Sequence, residues 1–429
     1  MVNVLFILAD ALRADRLHCC GNPYPTSPTL DRLASEGALF TNVIANANHT
    51  VPGLVSAFTG LYVVSHGIGD QQAFGQWSQR WQGWQPPFHV LRDAGYIVAG
   101  DDPEFYHPLG FESGGRDLHA AMEQYAGRPF FLWHRSEATH LPYNPPAPLD
   151  TAFLPADFTV SDSLAQRLQV VRRSLIVHKP GLLSRQEAGP TDAIQREGYE
   201  RTVGIAAFDP AERPAIVALY DGCVRMLDDE IAAYVDHLAR LGILDHTLVV
   251  ITADHGEQLL ERGAVGHSSC SLEGNLYDEN IRVPLILRCP RLLPHGRIIQ
   301  RQVSQVDIMA TLFDLLDLPM PQPCDARSLL PLVRDPQCDF PEDAYAETSP
   351  CGWQALEGDR RMIWCLRWPP WKLIRYSDPP QEDRHELFHL TVDPAETDNQ
   401  IQNHPEVARN LQARLDSWLA RRPVGIRPV

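Results

Sequence analysis

The sequence predicts an α/β protein with a doubly wound, mostly parallel sheet flanked by helices, followed by a smaller C-terminal α+β subdomain. Two continuous apolar runs of strand length, VLFILA (4–9) and LVVITA (248–253), are typical of central parallel strands covered on both faces. Helical patterns lie between them, and strands that alternate with helices favour a doubly wound sheet. After about residue 325 the composition shifts towards proline and acidic residues.

Three further short apolar runs are predicted strands, namely YIVAG (96–100), PFFLWH (129–134) and VPLILR (283–288). A helix is predicted over 220–241, where apolar residues recur at a 3.6-residue period, and another over 306–318. Ligands of such sheets bind beyond the carboxyl ends of the strands. Asp10 and Asp254 each follow a predicted central strand directly, so both carboxylates are expected at that edge.

We predict a catalytic domain over 1–329 and a C-terminal subdomain over 330–429. In the second region, MIWCLRW and WKLIRY are predicted strands, and a last helix is predicted over 405–420, beginning at Pro405. Residues 150–215 show no clear period and contain the basic stretch QRLQVVRRSLIVHKPGLLSR. This segment is either a substrate-facing insertion at the pocket rim or a solvated helix, and charge runs of this kind favour the solvated helix.

The composition limits the kinds of molecule that this protein is expected to bind. The chain has 429 residues and a net charge of −17, which argues against a nucleic-acid polymer but does not exclude a small anionic substrate held by a local site. The opening MVNVLFILAD is interpreted as a buried strand and not as a signal peptide, and without a run of about 18 apolar residues no membrane span is expected. The nine irregularly spaced cysteines favour a reducing, cytoplasmic compartment. A homo-oligomer is left open.

Four residues carry the candidate chemistry, and each also has an ordinary structural explanation. Asp10 could be a turn or cap residue, Thr50 could cap the helix that begins near Pro52, and the Asp254-His255-Gly triplet could form a turn. Together, two carboxylates and an imidazole at one sheet edge can hold a divalent cation. Such a cation lowers the pKa of a hydroxyl group, and a helix N-terminus stabilises an anion. The set therefore predicts attack by Thr50 on a tetrahedral anion.

Several longer stretches resemble the sulfatase-like branch of the alkaline phosphatase superfamily. The matching stretches are NVLFILADALRADRLHCCGNPYPTSPTLDRLASEGALFTN, TVPGLVSAFTGLYVVSHGI, PFFLWHRSEATHLPYNPP, VVITADHGEQLLERGAVGH, LYDENIRVPLIL, VSQVDIMATLFDLLDLP and WKLIRY…HELFHLTVDPAETDNQ. Their number and order cover nearly the whole chain outside 150–215. The resemblance implies the alkaline phosphatase/sulfatase-like fold and an ester hydrolase of this superfamily.

The resemblance also implies roles for individual residues. The expected metal ligands are Asp10, Thr50, Asp254 and His255. The expected catalytic residues are Thr50 as nucleophile, with His140 or His267 as general acid for the leaving alcohol. The expected substrate-binding residues are Arg13, Asn48, His140 and His267, with a structural role for Arg13 as the alternative.

The sequence departs from the sulfatase pattern at the nucleophile. Sulfatases of this family carry a Cys or Ser that is oxidised to formylglycine, within a C/S-x-P-x-R signature. Here the same frame reads Thr50-Val51-Pro52-Gly53-Leu54, and threonine cannot give the aldehyde. In addition, Ala11 replaces the second N-terminal aspartate, and the lysine expected after AGY is missing, with Asp101 and Asp102 nearby. A sulfate ester turned over through the aldehyde hydrate is therefore disfavoured.

These departures favour a metal-dependent hydrolase of phosphorus esters that forms a phospho-threonine intermediate. Because the predicted site has few basic groups, a substrate with one negative charge, such as a phosphodiester or a phosphonate monoester, is favoured over the dianion of a phosphate monoester. The alternatives are a sulfatase that acts without formylglycine, a phospho-group transferase, and a non-catalytic binding protein on the same fold. The expected cofactor is one divalent ion (Mn²⁺, Ca²⁺, Zn²⁺ or Mg²⁺), with a second ion held by Glu137, His140 and His267 as a further alternative.

Overall fold

The computed structural model describes residues 1–69, 84–100, 109, 111–113, 117–180, 203–271, 273–352 and 360–421. Two features singled out in the sequence lie outside the described residues: the pair Asp101 and Asp102, and the 181–202 part of the 150–215 segment.

The described strands are numbered in chain order. They are β1 (Asn3–Ala9), β2 (Ala38–Ile44), β3 (Ile97–Gly100), β4 (Glu112–Ser113), β5 (Phe130–Ser136), β6 (Ile176–His178), β7 (Val203–Ile205), β8 (Thr247–Ala253), β9 (Gln258–Leu259), β10 (Val265–Gly266), β11 (Arg282–Arg288), β12 (Arg297–Ile299), β13 (Val303–Ser304), β14 (Ala344–Thr348), β15 (Met362–Trp368), β16 (Trp371–Ser377) and β17 (Arg384–His389).

The described α-helices are numbered in the same way. They are α1 (Pro28–Ser35), α2 (Thr50–Thr59), α3 (Val63–His66), α4 (Pro87–Asp93), α5 (Leu118–Tyr125), α6 (Asp162–Arg173), α7 (Arg213–Arg240), α8 (Ser268–Ser271), α9 (Asp278–Ile281), α10 (Asp307–Leu315), α11 (Leu330–Arg334) and α12 (Pro405–Leu419).

A mixed, mostly parallel sheet forms the centre of the molecule, in the order β12-β2-β11-β8-β1-β5-β3-β4. Every residue of β1 and of β8 is buried, as their continuous apolar sequences predict. β1 is parallel to both neighbours, and Ala9 is in register with Ala253 of β8 and with Ser136 of β5. These three strands therefore end at the same level, and the residues that follow them share one edge.

One strand of this sheet runs against its neighbours. β11 pairs antiparallel with β8 and with β2, and β2 was not among the predicted strands. The other predicted strands and helices are present. The helix predicted over 220–241 is longer at its N-terminus, where it begins at Arg213. Pro214 explains this start, because a proline in the first turn needs no N–H partner and its fixed φ suits a helix.

Aromatic side chains anchor α2 to the sheet. The ring of Phe58 lies 5.2 Å from that of Phe6 on β1 and 5.4 Å from that of Trp133 on β5, both measured between ring centroids. All three side chains are fully buried. This packing fixes the position of α2 relative to β1, which Asp10 follows, and to the neighbouring β5.

The C-terminal region forms the predicted α+β unit. Its antiparallel sheet has the order β14-β15-β16-β17, and α12 packs on it through Trp418, whose ring stacks on Tyr345 at 4.7 Å. The sheet is tied to the rest of the chain by a buried ion cluster, in which Asp278 accepts hydrogen bonds from Arg367 at 2.9 Å and from Lys372 at 2.8 Å. The boundary between 329 and 330 stays a prediction.

The described part of the 150–215 segment contains the expected helix. α6 is capped by Ser161, buries Leu164, Leu168 and Val171, and exposes much of its other face. β6 follows it and packs against α8, so the segment reaches the neighbourhood of His267. Among the described helices, none combines the length and the apolarity that crossing a bilayer requires.

Candidate active site

Three predicted metal ligands converge at the carboxyl ends of β1 and β8. Single ligand atoms of Asp10, Asp254 and His255 all lie within 4.8 Å of one another. Nε2 of His255 is 3.6 Å from Oδ1 of Asp10 and 3.6 Å from Oδ2 of Asp254. All three side chains are buried, and within the described part of the chain none of these three atoms has a hydrogen-bond partner. Buried polar atoms without partners are costly, and a cation bound between these three atoms would satisfy them.

The donor set fits a divalent cation. Two carboxylate oxygens and one imidazole nitrogen suit Mg²⁺, Ca²⁺, Mn²⁺ or Zn²⁺. Burial raises the pKa of Asp254 to about 6, and the nearby charge of Asp10 adds to the increase. Burial would also raise the pKa of Asp10, but the positive charges of His140 and Arg135 outweigh this and lower it.

Backbone groups orient these ligands. Nδ1 of His255 donates a hydrogen bond to the carbonyl oxygen of Gly256 at 2.7 Å. A carbonyl oxygen can only accept, so Nδ1 carries a proton and Nε2 is the ring nitrogen that faces the carboxylates, as in many metal-binding histidines. Oδ1 of Asp254 accepts the N–H of Ala11 at 3.1 Å. Ala11 has φ +63°, a left-handed conformation that is unfavourable for alanine and is found mostly at functional sites.

Arg135 is a site residue that the sequence analysis did not identify. It lies near the end of β5, and its Nη1 donates to Oδ2 of Asp10 at 2.9 Å. The other oxygen of this carboxylate, Oδ1, is the one that belongs to the cation site. Its Nη2 donates to Oε1 of Glu137 at 2.7 Å. The site therefore contains a positively charged side chain that was not among the predicted site residues. The side chain of Glu137 is 68% exposed and bound to Arg135, which favours an ordinary ion pair, and its use as a second-metal ligand stays a prediction.

Thr50 is the first residue of α2, with His49 in an extended conformation before it. The predicted helix start near Pro52 is therefore two residues late, and Pro52 lies within the first turn. Gly53 packs against the residue that follows β8, since an added Cβ would lie 2.6 Å from the backbone oxygen of Asp254. The start of α2 is thus in close contact with one of the predicted metal ligands. The nucleophilic and metal-binding roles of Thr50 stay predictions.

His140 and His267 lie together beside this centre, with ring centroids 5.0 Å apart. The ring of His267 is also 4.2 Å from that of His255. Burial lowers the pKa of His267 well below its usual range, and His255 adds to the decrease. Burial would lower the pKa of His140 too, but the charges of Asp10 and Glu257 outweigh this and raise it. Of the two histidines, His140 is therefore the better source of a proton.

Arg13 and Asn48 are bound by protein groups in this structure. Arg13 is buried and donates to Asp15 at 2.7 Å and to Glu261 at 2.6 Å, which favours its structural alternative. Asn48 is fully buried and donates to the carbonyl oxygen of Asn275 at 2.6 Å. Its side-chain oxygen also accepts the hydroxyl groups of Ser268 and Thr348, both at 2.6 Å. These contacts favour a structural role for Asn48, and its binding of substrate stays a prediction.

Two family models match the chain. A model described as sulfatase matches residues 2–113 and 115–318, and one described as N-sulphoglucosamine sulphohydrolase, C-terminal, matches residues 274–421.

The relatives include proteins that act on phosphorus and on sulfur esters by name. The multifunctional alkaline phosphatase superfamily protein PehA of Trinickia caryophylli is 24% identical, with 92% of each chain covered. The steryl-sulfatase of Mus musculus is 25% identical, with 77% of this chain and 65% of that protein covered. The phosphonate monoester hydrolase of Agrobacterium radiobacter has the same fold, with a TM-score of 0.73 at 20% identity, covering 98% of this chain and 96% of that one.

Proposed function

The chain belongs to the sulfatase family, and from that premise we propose that it is a metal-dependent hydrolase of phosphorus esters with Thr50 as its nucleophile. Phosphodiesters and phosphonate monoesters are the favoured substrates. The observation that carries the proposal is the position of Thr50 at the start of α2, whose first turn packs on Asp254 through Gly53. The N-terminus of α2, which carries Thr50, thus adjoins Asp254, whose Oδ2 is one of the three ligand atoms without a partner.

The metal requirement rests on Asp10, Asp254 and His255, which would hold a divalent cation through the three atoms that face one another. A bound divalent cation acts as a Lewis acid, which makes a nearby hydroxyl a better nucleophile and stabilises negative charge on the reacting group. The N-terminal N–H groups of α2 favour an anion at the same place.

The proposed reaction is a double displacement. The Thr50 oxygen attacks phosphorus and releases its proton to solvent, while the bond from phosphorus to the ester oxygen breaks. Protonated His140 supplies the proton that the departing alcohol needs, because the surrounding carboxylates raise its pKa. Water then cleaves the phospho-threonine and restores the free hydroxyl. If an alcohol replaces water in that second step, the same site acts as a transferase.

The charge at the site supports a monoanionic substrate. Arg135 lies against Asp10 and is paired with Glu137, and protonated His140 lies nearby, so the side-chain charges around the cation site are three carboxylates, one guanidinium and one imidazolium. Adding a divalent cation leaves a small positive excess, which suits a phosphodiester or phosphonate monoester better than a dianion.

Sulfuric esters are the second candidate substrate, because relatives such as the steryl-sulfatase of Mus musculus are named for that activity. Threonine cannot form the aldehyde, so such an enzyme would need direct attack by the Thr50 hydroxyl on sulfur. A non-catalytic binding protein is a weaker alternative, because it gives no reason for three buried ligand atoms without partners at the end of β1 and β8.

The test is a substrate panel on purified protein with added Mn²⁺, Ca²⁺, Zn²⁺ or Mg²⁺. The panel contains an aryl phosphonate monoester, a bis-aryl phosphodiester, an aryl phosphate and an aryl sulfate. We expect metal-dependent turnover of the first two, and a loss of at least about 10³-fold in Thr50→Ala. Thr59→Ala, at the far end of the same helix, is the matched control and should keep its kcat. Faster turnover of the sulfate would favour the sulfatase, and full activity of Thr50→Ala would remove Thr50 from the mechanism.

A further inference from the structure

A second group of ligand atoms lies beside the first centre. It consists of His140, His267 and Cys270, whose ligand atoms lie within 4.8 Å of one another. Cys270 and His267 are buried, and Cys270 was not singled out in the sequence. Cys270 lies on α8, three residues after His267, and His140 follows β5 on the other side of the site.

Hydrogen bonds orient both imidazoles towards the sulfur. Nδ1 of His140 donates to the carbonyl oxygen of Leu141 at 2.5 Å, so Nε2 is the ring nitrogen that faces the sulfur. Nδ1 of His267 is hydrogen-bonded to Oε1 of the fully buried Glu257 at 3.0 Å, so Nε2 is the ring nitrogen that faces the sulfur. A histidine whose Nδ1–H is held by a carbonyl or a carboxylate presents Nε2 to a metal in many metalloproteins.

The distances match a tetrahedral centre. Nε2 of His140 and Nε2 of His267 each lie 3.7 Å from Sγ of Cys270. With a Zn–S bond of about 2.3 Å and a Zn–N bond of about 2.05 Å, a tetrahedral angle separates sulfur from nitrogen by roughly 3.6 Å. The two nitrogen–sulfur distances therefore already match the spacing that such a cation imposes.

The thiol of Cys270 can donate a hydrogen bond to only one of the two imidazoles. Cys270 has one S–H proton, so it can donate to one of the two Nε2 atoms, whereas both stand at the same distance. The second contact then needs either a proton on an imidazole or a cation shared by all three atoms. Two imidazoles and a thiolate are a donor set that Zn²⁺ prefers and that Mg²⁺ and Ca²⁺ avoid.

We propose that His140, His267 and Cys270 form a second cation site, selective for Zn²⁺ or a similar borderline ion and distinct from the site on Asp10, Asp254 and His255. Binding replaces the thiol proton: the S–H bond breaks, the sulfur bonds to the cation, and that proton is released to solvent together with any proton held on Nε2 of His140. Three protein ligands leave the fourth tetrahedral position open.

This inference goes beyond the proposed function and does not depend on it. Nε2 of His140 holds either a proton or the cation, so a loaded site takes His140 out of proton transfer. The ring of His267 lies 4.2 Å from that of His255, so the two sites are neighbours and their loading is expected to be coupled. The test is therefore a measurement of binding, which stands whether or not any ester is turned over.

The experiment measures metal stoichiometry on the intact, metal-stripped protein. After equilibrium dialysis against Zn²⁺, we expect two ions per chain for the unchanged protein and one for Cys270→Ser, Cys270→Ala and Asp10→Asn. Cys223→Ser alters another buried cysteine, on α7, and should keep two ions. Circular dichroism checks that each variant is folded.

Cobalt gives an independent signature of the sulfur ligand. The Co²⁺-loaded protein should show thiolate-to-metal charge-transfer absorption in the near ultraviolet, which Cys270→Ser loses and Cys223→Ser keeps. One ion per chain in the unchanged protein, or charge-transfer absorption that survives in folded Cys270→Ser, would overturn the proposal. Neither result bears on Thr50, so failure here is separable from failure of the proposed hydrolase.

Discussion

Oδ1 of Asp10 lies 3.6 Å from Nε2 of His255, and among the described residues neither atom has a hydrogen-bond partner. Asp10 follows β1 and His255 follows β8 by one residue more, so the parallel register of the two strands brings these atoms together. A buried acceptor pair of this kind has a stable arrangement when a cation lies between the two atoms.

The first prediction concerns metal binding by Asp10. Asp10→Asn removes the charge and one ligand oxygen, so the loss of affinity for the added divalent ion should exceed the roughly 10- to 100-fold that removal of an outer partner costs. Isothermal titration calorimetry measures it. Asp228→Asn changes a buried carboxylate that accepts the N–H groups of Thr29 and Leu30, and it should keep the affinity. Equal affinity in Asp10→Asn would exclude Asp10 as a ligand.

The second prediction is a pH dependence of the same affinity. Burial raises the pKa of Asp254 to about 6, so below that pH the cation must displace a proton. The affinity for the divalent ion should fall about tenfold for each unit that the pH drops below about 6. Above that pH, the titration of Asp254 should no longer change the affinity. Because the folded-state pKa exceeds the usual value of about 3.9, this carboxyl makes the metal-free fold less stable as the pH rises between the two values.

Calorimetric titrations from about pH 5 to about pH 8 check this, with proton release measured in buffers of different ionisation enthalpy. Asp254→Asn provides the comparison, since it has no proton to displace and should lose the slope along with most of the affinity. An affinity that stays constant between about pH 5 and pH 6 would contradict the assignment of Asp254.

The third prediction concerns Arg135. Its guanidinium balances the charge of Asp10 through a 2.9 Å hydrogen bond, so Arg135→Gln should raise the pKa of Asp10 and reduce kcat/KM by roughly 10- to 100-fold. Arg135→Lys keeps the charge but loses the second contact to Glu137, and an intermediate effect is expected. Arg128→Gln, an exposed arginine before β5, is the matched control. Steady-state kinetics on the best substrate of the panel distinguish these outcomes.

The fourth prediction concerns Gly53. In Gly53→Ala the new Cβ would lie 2.6 Å from the backbone oxygen of Asp254, so α2 must move away from the metal ligand. We expect a loss of about 1–3 kcal/mol in the free energy of unfolding, even though alanine is the better helix former. Metal affinity should fall as well. Gly127→Ala meets no atom within 4 Å and should be neutral. Urea unfolding with and without the ion measures both effects. If Gly53→Ala had the stability and the metal affinity of the unchanged protein, α2 would be free to shift.

Much of the fold could be read from local patterns. The buried strands β1 and β8 appear in the sequence as apolar runs because both of their faces are covered. Asp10 and Asp254 were identified as neighbours because they follow such runs, and carboxyl ends of parallel strands meet at one edge. β2 was not predicted, although five of its seven residues are buried, because ALFTNVI is interrupted by polar residues.

The sequence by itself determined which strands are central, that Asp10, Asp254 and His255 meet, and that Thr50 stands at a helix start. Only the tertiary structure decided that Arg135 binds Asp10 and that Cys270 joins His140 across 130 positions of the chain. The physical reason is that hydrophobic periodicity reports whether a residue is buried, whereas the partner of a polar side chain depends on strand register and on which loops close over the same sheet edge.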